Sequence, residues 1–443
     1  MSFSSIDFIL KFLPLFLIAY FLVPKKLKNF CLIAGSVIFY CFGGWRYFIA
    51  LFACFLLNLF FVRFFIGRRK VVCALNIILN LAIMVIFRLI GYPIPGLSFV
   101  LMEMIALSVD VCSGKTEVKS LFDFATYFFM FPKLLSGPIT IYKDIKDQIV
   151  SRKNTLANVE KGLGIFIMGL SFKVLLADEI KGVWNGINQI GIDSISMGMA
   201  WLGLLAISLN IFFDFEGYSL MAIGVGKMLG FTLPENFDAP YTSKSVSEFY
   251  RRWHMTLGNW FKNYIYFPMG GSRVKLPRTL FNLFVVWVAT SLWHGFKLHF
   301  LAWGMFLCFF ILIEKLFWGK VCNKLKVLPH LYLLLVIPLS WLLFFVNNMR
   351  EALVYVTRLV EPVLVIIGRK GNEFVNEADA LKYLSMYAPF MVVGIILCLP
   401  KVESFIRGKL GKWYGKVLMI GLFIFDIYML YINESNPFAY FQF

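Results

Sequence analysis

The stretch TLFNLFVVWVATSLWHG, residues 279–295, is apolar for nearly its whole length and then presents a histidine and a glycine. Such a run approaches the roughly 20 residues needed to cross a bilayer core. In lipid, only a helix satisfies its own backbone donors and acceptors, so the run predicts an α-helix. Gly295 predicts its end, either as a left-handed cap or as a local break. Non-helical backbone at membrane depth survives only where protein buries it or a water-filled cavity adjoins it. A break at His294–Gly295 therefore predicts an interior cavity.

The rest of the chain belongs to the same solvent. Only 15% of the residues are charged and 60% are hydrophobic, against roughly a quarter charged in soluble domains. Runs such as FILKFLPLFLIAYFLV (8–23), FIALFACFLLNLFFV (48–62) and VLMIGLFIFDIYMLYI (417–432) repeat the pattern. The expected fold class is all-α: a polytopic membrane protein with about 11–13 transmembrane or re-entrant helices. With no fixed-period repeat, low-complexity tract or long polar linker, residues 1–443 read as one membrane domain.

The net charge of +18 is spread over short basic clusters between apolar runs, which points to topology signals and anionic partners rather than nucleic acid. By the positive-inside rule PKKLK (24–28), GRRK (67–70) and IRGKLGKWYGK (406–416) face the cytoplasm. The turn at GGWR (43–46), the N-terminus and the tail NESNPFAYFQF (433–443) then face outward. MSFSSIDF lacks the basic region of a cleavable signal, so the first run is expected to stay as a helix. The eight cysteines lie singly, mostly in apolar runs, and read as small buried hydrophobes.

Residues 232–278 break the helix-after-helix pattern with Pro, Asn, Asp, Ser, Arg and Gly. Within them SVSE (245–248) has capping-box spacing, so a helix should begin there. From Phe249 to Ile265, apolar residues recur every three or four positions, which predicts one amphipathic cytoplasmic-side helix with His254 at the edge of its apolar stripe. By periodicity alone it suits a membrane surface equally well.

His294 is the residue to explain. A low-dielectric site favours the neutral imidazole, whose free nitrogen suits a general base. The plainer reading, a hydrogen bond to a neighbouring helix, has equal weight for a lone intramembrane histidine. His299 and His330, the latter in loop-like VLPHLY, read as structural. No HExxH motif or His/Cys cluster is present, so no metal is expected. Asp214 and Glu216 in FFDFEGY (212–218) read as ion-pairing or helix-end residues.

FPKLLSGPI (131–139), FFDFEGYSLMAIGVGKMLGF (212–231), PENFDAPYTSKSVSEFYRRWHMTLGNWFKNYIYFPMGGSR (234–273), LWHG (292–295) and NPFAYFQF (436–443) together carry a resemblance. The chain is similar to the bacterial membrane-bound O-acyltransferases, in the branch of alginate O-acetyltransferase membrane components. EFYRRWH followed 40 residues after its histidine by WHG is the specific signal. The chain departs from the pattern at Leu220 and Asn263, where the family often has Asp, and it lacks the usual Thr-Phe-Gln near 96–111.

The resemblance implies a helical fold around an internal tunnel, with His294 as the principal catalytic histidine and His254 as the second. It implies no cofactor, acetyl-CoA as acyl donor, and Tyr440 in the aromatic tail as a possible acyl relay. Arg251, Arg252, Lys262, Arg273 and Lys275 are candidates to attract the donor's phosphates, though topology charge explains them as well. The GGS turn (270–272) is a weaker phosphate candidate. Trp253 and Trp293, each beside a histidine, are candidate substrate contacts. The implied function is O-acetylation of a cell-surface or exported polysaccharide from the bacterial inner or plasma membrane, with an extracytoplasmic transferase as partner. The alternatives are D-alanyl transfer to teichoic acid and, outside enzymes, a transporter or flippase. A transporter would favour internal repeats and paired midplane charges, which are not seen.

Overall fold

The computed structural model describes residues 2–64, 70–91, 94–135, 137–319, 325–361, 377–409 and 411–432. Among them the secondary structure is helical throughout. Among the described residues nine helices are long and apolar enough to cross a membrane, including Trp45–Phe64, Lys70–Leu89, Met197–Met228, Leu276–His294 and Trp413–Ile432. The protein is an all-α, multi-pass membrane protein. Shorter apolar helices supplement these spans; Leu97–Cys112 is only 16 residues long yet buried along most of its length. The GGWR turn is abrupt: one helix ends at Gly43 and the next begins at Trp45. Gly44 makes the turn at φ 136°, where a side chain would be strained.

The chain folds as two compact units. The first comprises the described residues of Met1–Ser171, Gly217–Asn236 and Leu410–Gln442. Several of its buried polar groups satisfy one another. Asn76 donates to the Ser108 hydroxyl at 2.9 Å, Asn80 to Asn76 at 2.9 Å, and Asn58 to Asn80 at 3.1 Å. Lys133, in the FPKLLSGPI motif, pairs with buried Glu103, which also accepts the Thr140 backbone N–H at 3.0 Å. In a medium without water such closure is what makes buried polar atoms tolerable. Cys73 and Cys112 are joined as a disulfide between Lys70–Leu89 and Leu97–Cys112. This corrects the reading of all eight cysteines as plain hydrophobes; the pair is 39 residues apart, and only the packing of the two helices brings it together. Cys54, Cys308 and Cys398 are buried, as expected, whereas Cys41 is exposed.

The second unit comprises Phe172–Glu216 and the described residues of Phe237–Lys409. Its helices that matter below are, in chain order, α1 (Met197–Met228, of which the part to Glu216 lies in this unit), α2 (Val246–Arg252), α3 (Met255–Phe261), α4 (Leu276–His294), α5 (Leu298–Ile313) and α6 (Leu328–Phe345). Helices α4 and α5 form a tight antiparallel hairpin, because Gly304 leaves no room for more. A Cβ there would stand 1.8 Å from the Ser291 hydroxyl and 3.2 Å from the Trp287 carbonyl oxygen. Small residues at such a seam let helices approach closely in lipid. Helix α2 packs against both α5 and α6. Asp214, within α1 rather than at a helix end, forms an ion pair with Lys173 at 2.7 Å, and Lys173 also reaches Asp178 at 2.7 Å. His330 lies in the first turn of α6, a correction to its loop reading: Pro329 is tolerated at that turn because its missing N–H would have no helical partner there.

Candidate functional site

The capping box forms at the start of α2. The Ser245 hydroxyl accepts the Glu248 N–H at 3.0 Å, while the Glu248 carboxylate reaches one residue further back, to the Lys244 N–H at 3.0 Å. The helix it begins does not run to Ile265. It stops at Arg252, and α3 starts at Met255. Between them His254 takes the left-handed conformation, φ 46° and ψ 53°. Among the described residues, His254 and Ala239 are the non-glycine positions with positive φ. The expectation of one continuous amphipathic helix is thus corrected. Its apolar phase survives across the break, but the backbone turns to send the imidazole inward, where it is 4% exposed. Strain of this kind costs about 1–2 kcal/mol and persists only where surrounding packing fixes it. That packing is aromatic: Trp253 stacks on Phe249 at 5.4 Å and meets Trp341 at 4.9 Å and Phe237 at 5.0 Å. The His254 ring meets Phe215 edge to face at 4.6 Å. Burial pushes its pKa down to about 3, so the ring is neutral across the physiological range.

His294 is positioned by simpler means. It is the last residue of α4, as the sequence predicts, but Gly295 is extended (φ 168°, ψ 166°) rather than left-handed. The requirement for glycine is steric: a Cβ at 295 would meet the Phe300 ring at 2.6 Å. The imidazole is enclosed by Trp303 at 4.9 Å and Phe344 at 5.1 Å, both edge to face. Trp293 lies against both histidines, 4.7 Å from His294 and 6.3 Å from His254. The fold therefore brings together His254, His294 and Trp293. Trp253 reaches the group indirectly, through Trp341, which stacks with Trp303 at 6.4 Å. His299 sits apart in role: its Nδ1 is 3.3 Å from the Leu343 carbonyl oxygen, a structural contact.

The basic candidates are peripheral. Arg251, Lys262, Arg273 and Lys275 are exposed, and Arg252 pairs with Glu248 at 2.9 Å along its own helix. The GGS turn has both glycines at positive φ, 101° and 57°. Asn282 of α4 closes it by donating to the carbonyls of Met269 and Gly271. Tyr440 lies outside the described residues. The residue that sequence reasoning missed is Glu314, which follows α5 and is buried. Its carboxylate accepts the backbone N–H groups of Val246 (2.5 Å) and Ser247 (2.9 Å), the Ser247 hydroxyl (2.6 Å) and the Tyr332 hydroxyl (3.1 Å). An acidic residue inside an apolar run was the available signal.

Comparison with known proteins gives a family match. The model of the membrane-bound O-acyltransferase family matches residues 98–346, more than half of the chain and all of the histidine site. The probable alginate O-acetylase AlgI of Pseudomonas putida is 30% identical over the full length of both chains. Its namesake from Pseudomonas fluorescens is 34% identical over 80% of this chain and 74% of its own. The peptidoglycan O-acetyltransferase of Helicobacter pylori is 29% identical over 72% of this chain and 64% of its own.

Proposed function

Because the chain belongs to the membrane-bound O-acyltransferase family, and is therefore an acyltransferase, we propose that it moves acetyl from cytosolic acetyl-CoA towards the hydroxyls of a cell-surface or exported polysaccharide. The observation that carries this reading is the pair of buried imidazoles, His254 and His294, set against the single indole of Trp293. Acyl transfer to oxygen needs a base to take the hydroxyl proton while oxygen attacks the thioester carbonyl. A neutral imidazole does this. His294 takes the proton, the C–O bond forms, the C–S bond breaks, and the proton passes to the departing thiolate to give free CoA. His254 shares the site as second functional histidine, and the enclosing aromatic rings keep out water that would hydrolyse the thioester.

The donor's phosphates would be drawn by the exposed cations Arg251, Lys262, Arg273 and Lys275. The whole of 1–443 acts as one membrane domain in the bacterial inner or plasma membrane, with a tunnel admitting the thioester arm. On the outer side Tyr440 relays acetyl to an extracytoplasmic transferase. Full-length protein in nanodiscs with radiolabelled acetyl-CoA tests these assignments. Wild type should release CoA and retain label, His294→Ala should do both at least about 100-fold more slowly, and Tyr440→Phe, which lacks the accepting hydroxyl, should do neither. CoA release at the wild-type rate in His294→Ala refutes the histidine mechanism. Turnover of a D-alanyl carrier thioester in place of acetyl-CoA refutes the donor.

A further inference from the structure

We propose that Glu314 is a positioning residue for the acyl-transfer site: its carboxylate fixes α2 and thereby holds His254 in its strained, inward-facing conformation. The inference rests on the reading of His254 as a functional histidine. A helix N-terminus exposes backbone donors without helical partners. Here Ser245 meets only one of them. Glu314 meets two more, through Val246 and Ser247, and adds the Ser247 side chain. Charge-assisted bonds to a helix N-terminus are among the stronger hydrogen bonds, and the helix dipole reinforces them.

The position of this clamp gives it a consequence at the site. Helix α2 is seven residues long, and His254 follows its end by two. The other end is held by the Trp253 N–H on the Phe249 carbonyl (2.7 Å) and the Asp238 N–H on the Arg252 carbonyl (3.0 Å). Glu314 itself directly follows α5, the helix that leaves His294 after a three-residue link. One carboxylate thus ties the element leading into His254 to the element leading away from His294. Helix α2 cannot shift or unwind its first turn without stripping a buried carboxylate of three of its four donors, so the left-handed turn at its far end is held against relaxation.

The test uses full-length protein in nanodiscs and two readouts. The first, independent of any substrate, is carbethoxylation of each histidine by diethyl pyrocarbonate, followed by mass spectrometry. Glu314→Gln keeps the shape and loses the charge. It should raise the labelling rate of His254 about tenfold, the scale of one weakened charge-assisted bond, with His299 unchanged. The second readout is CoA release from acetyl-CoA. Glu314→Gln should lower kcat by about 10- to 100-fold with KM for acetyl-CoA unchanged, and should add nothing in a His254→Ala background. Ser247→Ala, which removes one contact at the edge of the clamp, should show the same pattern more weakly and serves if Glu314→Gln does not fold. Unchanged His254 labelling, equal gains at His254 and His299, or losses that add to those of His254→Ala would each overturn the proposal. Failure of His294→Ala to slow CoA release would instead strike the functional reading and leave the labelling result to decide the role of Glu314.

Discussion

His254 and His294 reach similar surroundings by opposite routes. His294 needs nothing unusual of its backbone: a helix ends, and the next ring, Phe300, crosses so close that only glycine fits behind it. His254 sits at a left-handed residue between two short helices, and the aromatic cluster around Trp253 together with the Glu314 clamp holds that conformation in place. The difference teaches that one imidazole is aimed by local chain geometry and the other by tertiary packing. The first should tolerate backbone changes poorly at its neighbour. The second should be strained in itself.

The sharpest way to break the comparison is chemical. His294→Ala should lower turnover by about 10²- to 10⁴-fold, the contribution of a general base, as measured by CoA release. His254→Ala should cost less; equal losses would mean that the two rings share one role.

A second test uses acidity. His254 binds its proton only near pH 3 when folded but near 6.5 when unfolded. Below 6.5 the unfolded chain takes up more protons, so stability attributable to this group is complete above pH 6.5 and falls on acidification until about pH 3. The slope should approach about 1.4 kcal/mol per pH unit. Thermal unfolding in detergent, compared with His254→Ala, should show that the variant lacks this component of the slope.

Smaller effects separate the two backbones. Gly295→Ala drives a methyl into the Phe300 ring and should destabilise the protein by about 1–3 kcal/mol, read as a drop in melting temperature. Finally, the ranking of glycine and alanine should reverse between the sites. His254→Gly should be more stable than His254→Ala by about 1 kcal/mol, because glycine adopts the left-handed region freely. His294→Gly should be less stable than His294→Ala by about 0.5 kcal/mol, because alanine suits a helix. The same order at both positions would erase the distinction.

What the sequence made legible follows the same division. Apolar runs near spanning length announced the helices, and Ser245 with Glu248 announced the start of α2, because both signals are local. The end of α4 at His294 was readable for the same reason. The break at His254 was not, since the aromatic residues keep their helical phase on both sides of it and nothing in Arg-Trp-His-Met demands a left-handed residue. Nor was the clamp: Glu314 and Val246 are 68 positions apart, and a carboxylate in an apolar run names no partner. The two members of the Cys73–Cys112 disulfide, in separate helices, were silent for that reason too.

The hairpin of α4 and α5 also bears on how the protein is made. Three residues separate Leu276–His294 from Leu298–Ile313, and Gly304 lets the pair lie together without a gap. So short a link leaves neither segment able to enter the bilayer far from the other. Biogenesis should therefore deliver them as a single insertion unit, with the neighbours of His294 on α5 already beside it before the later helices arrive.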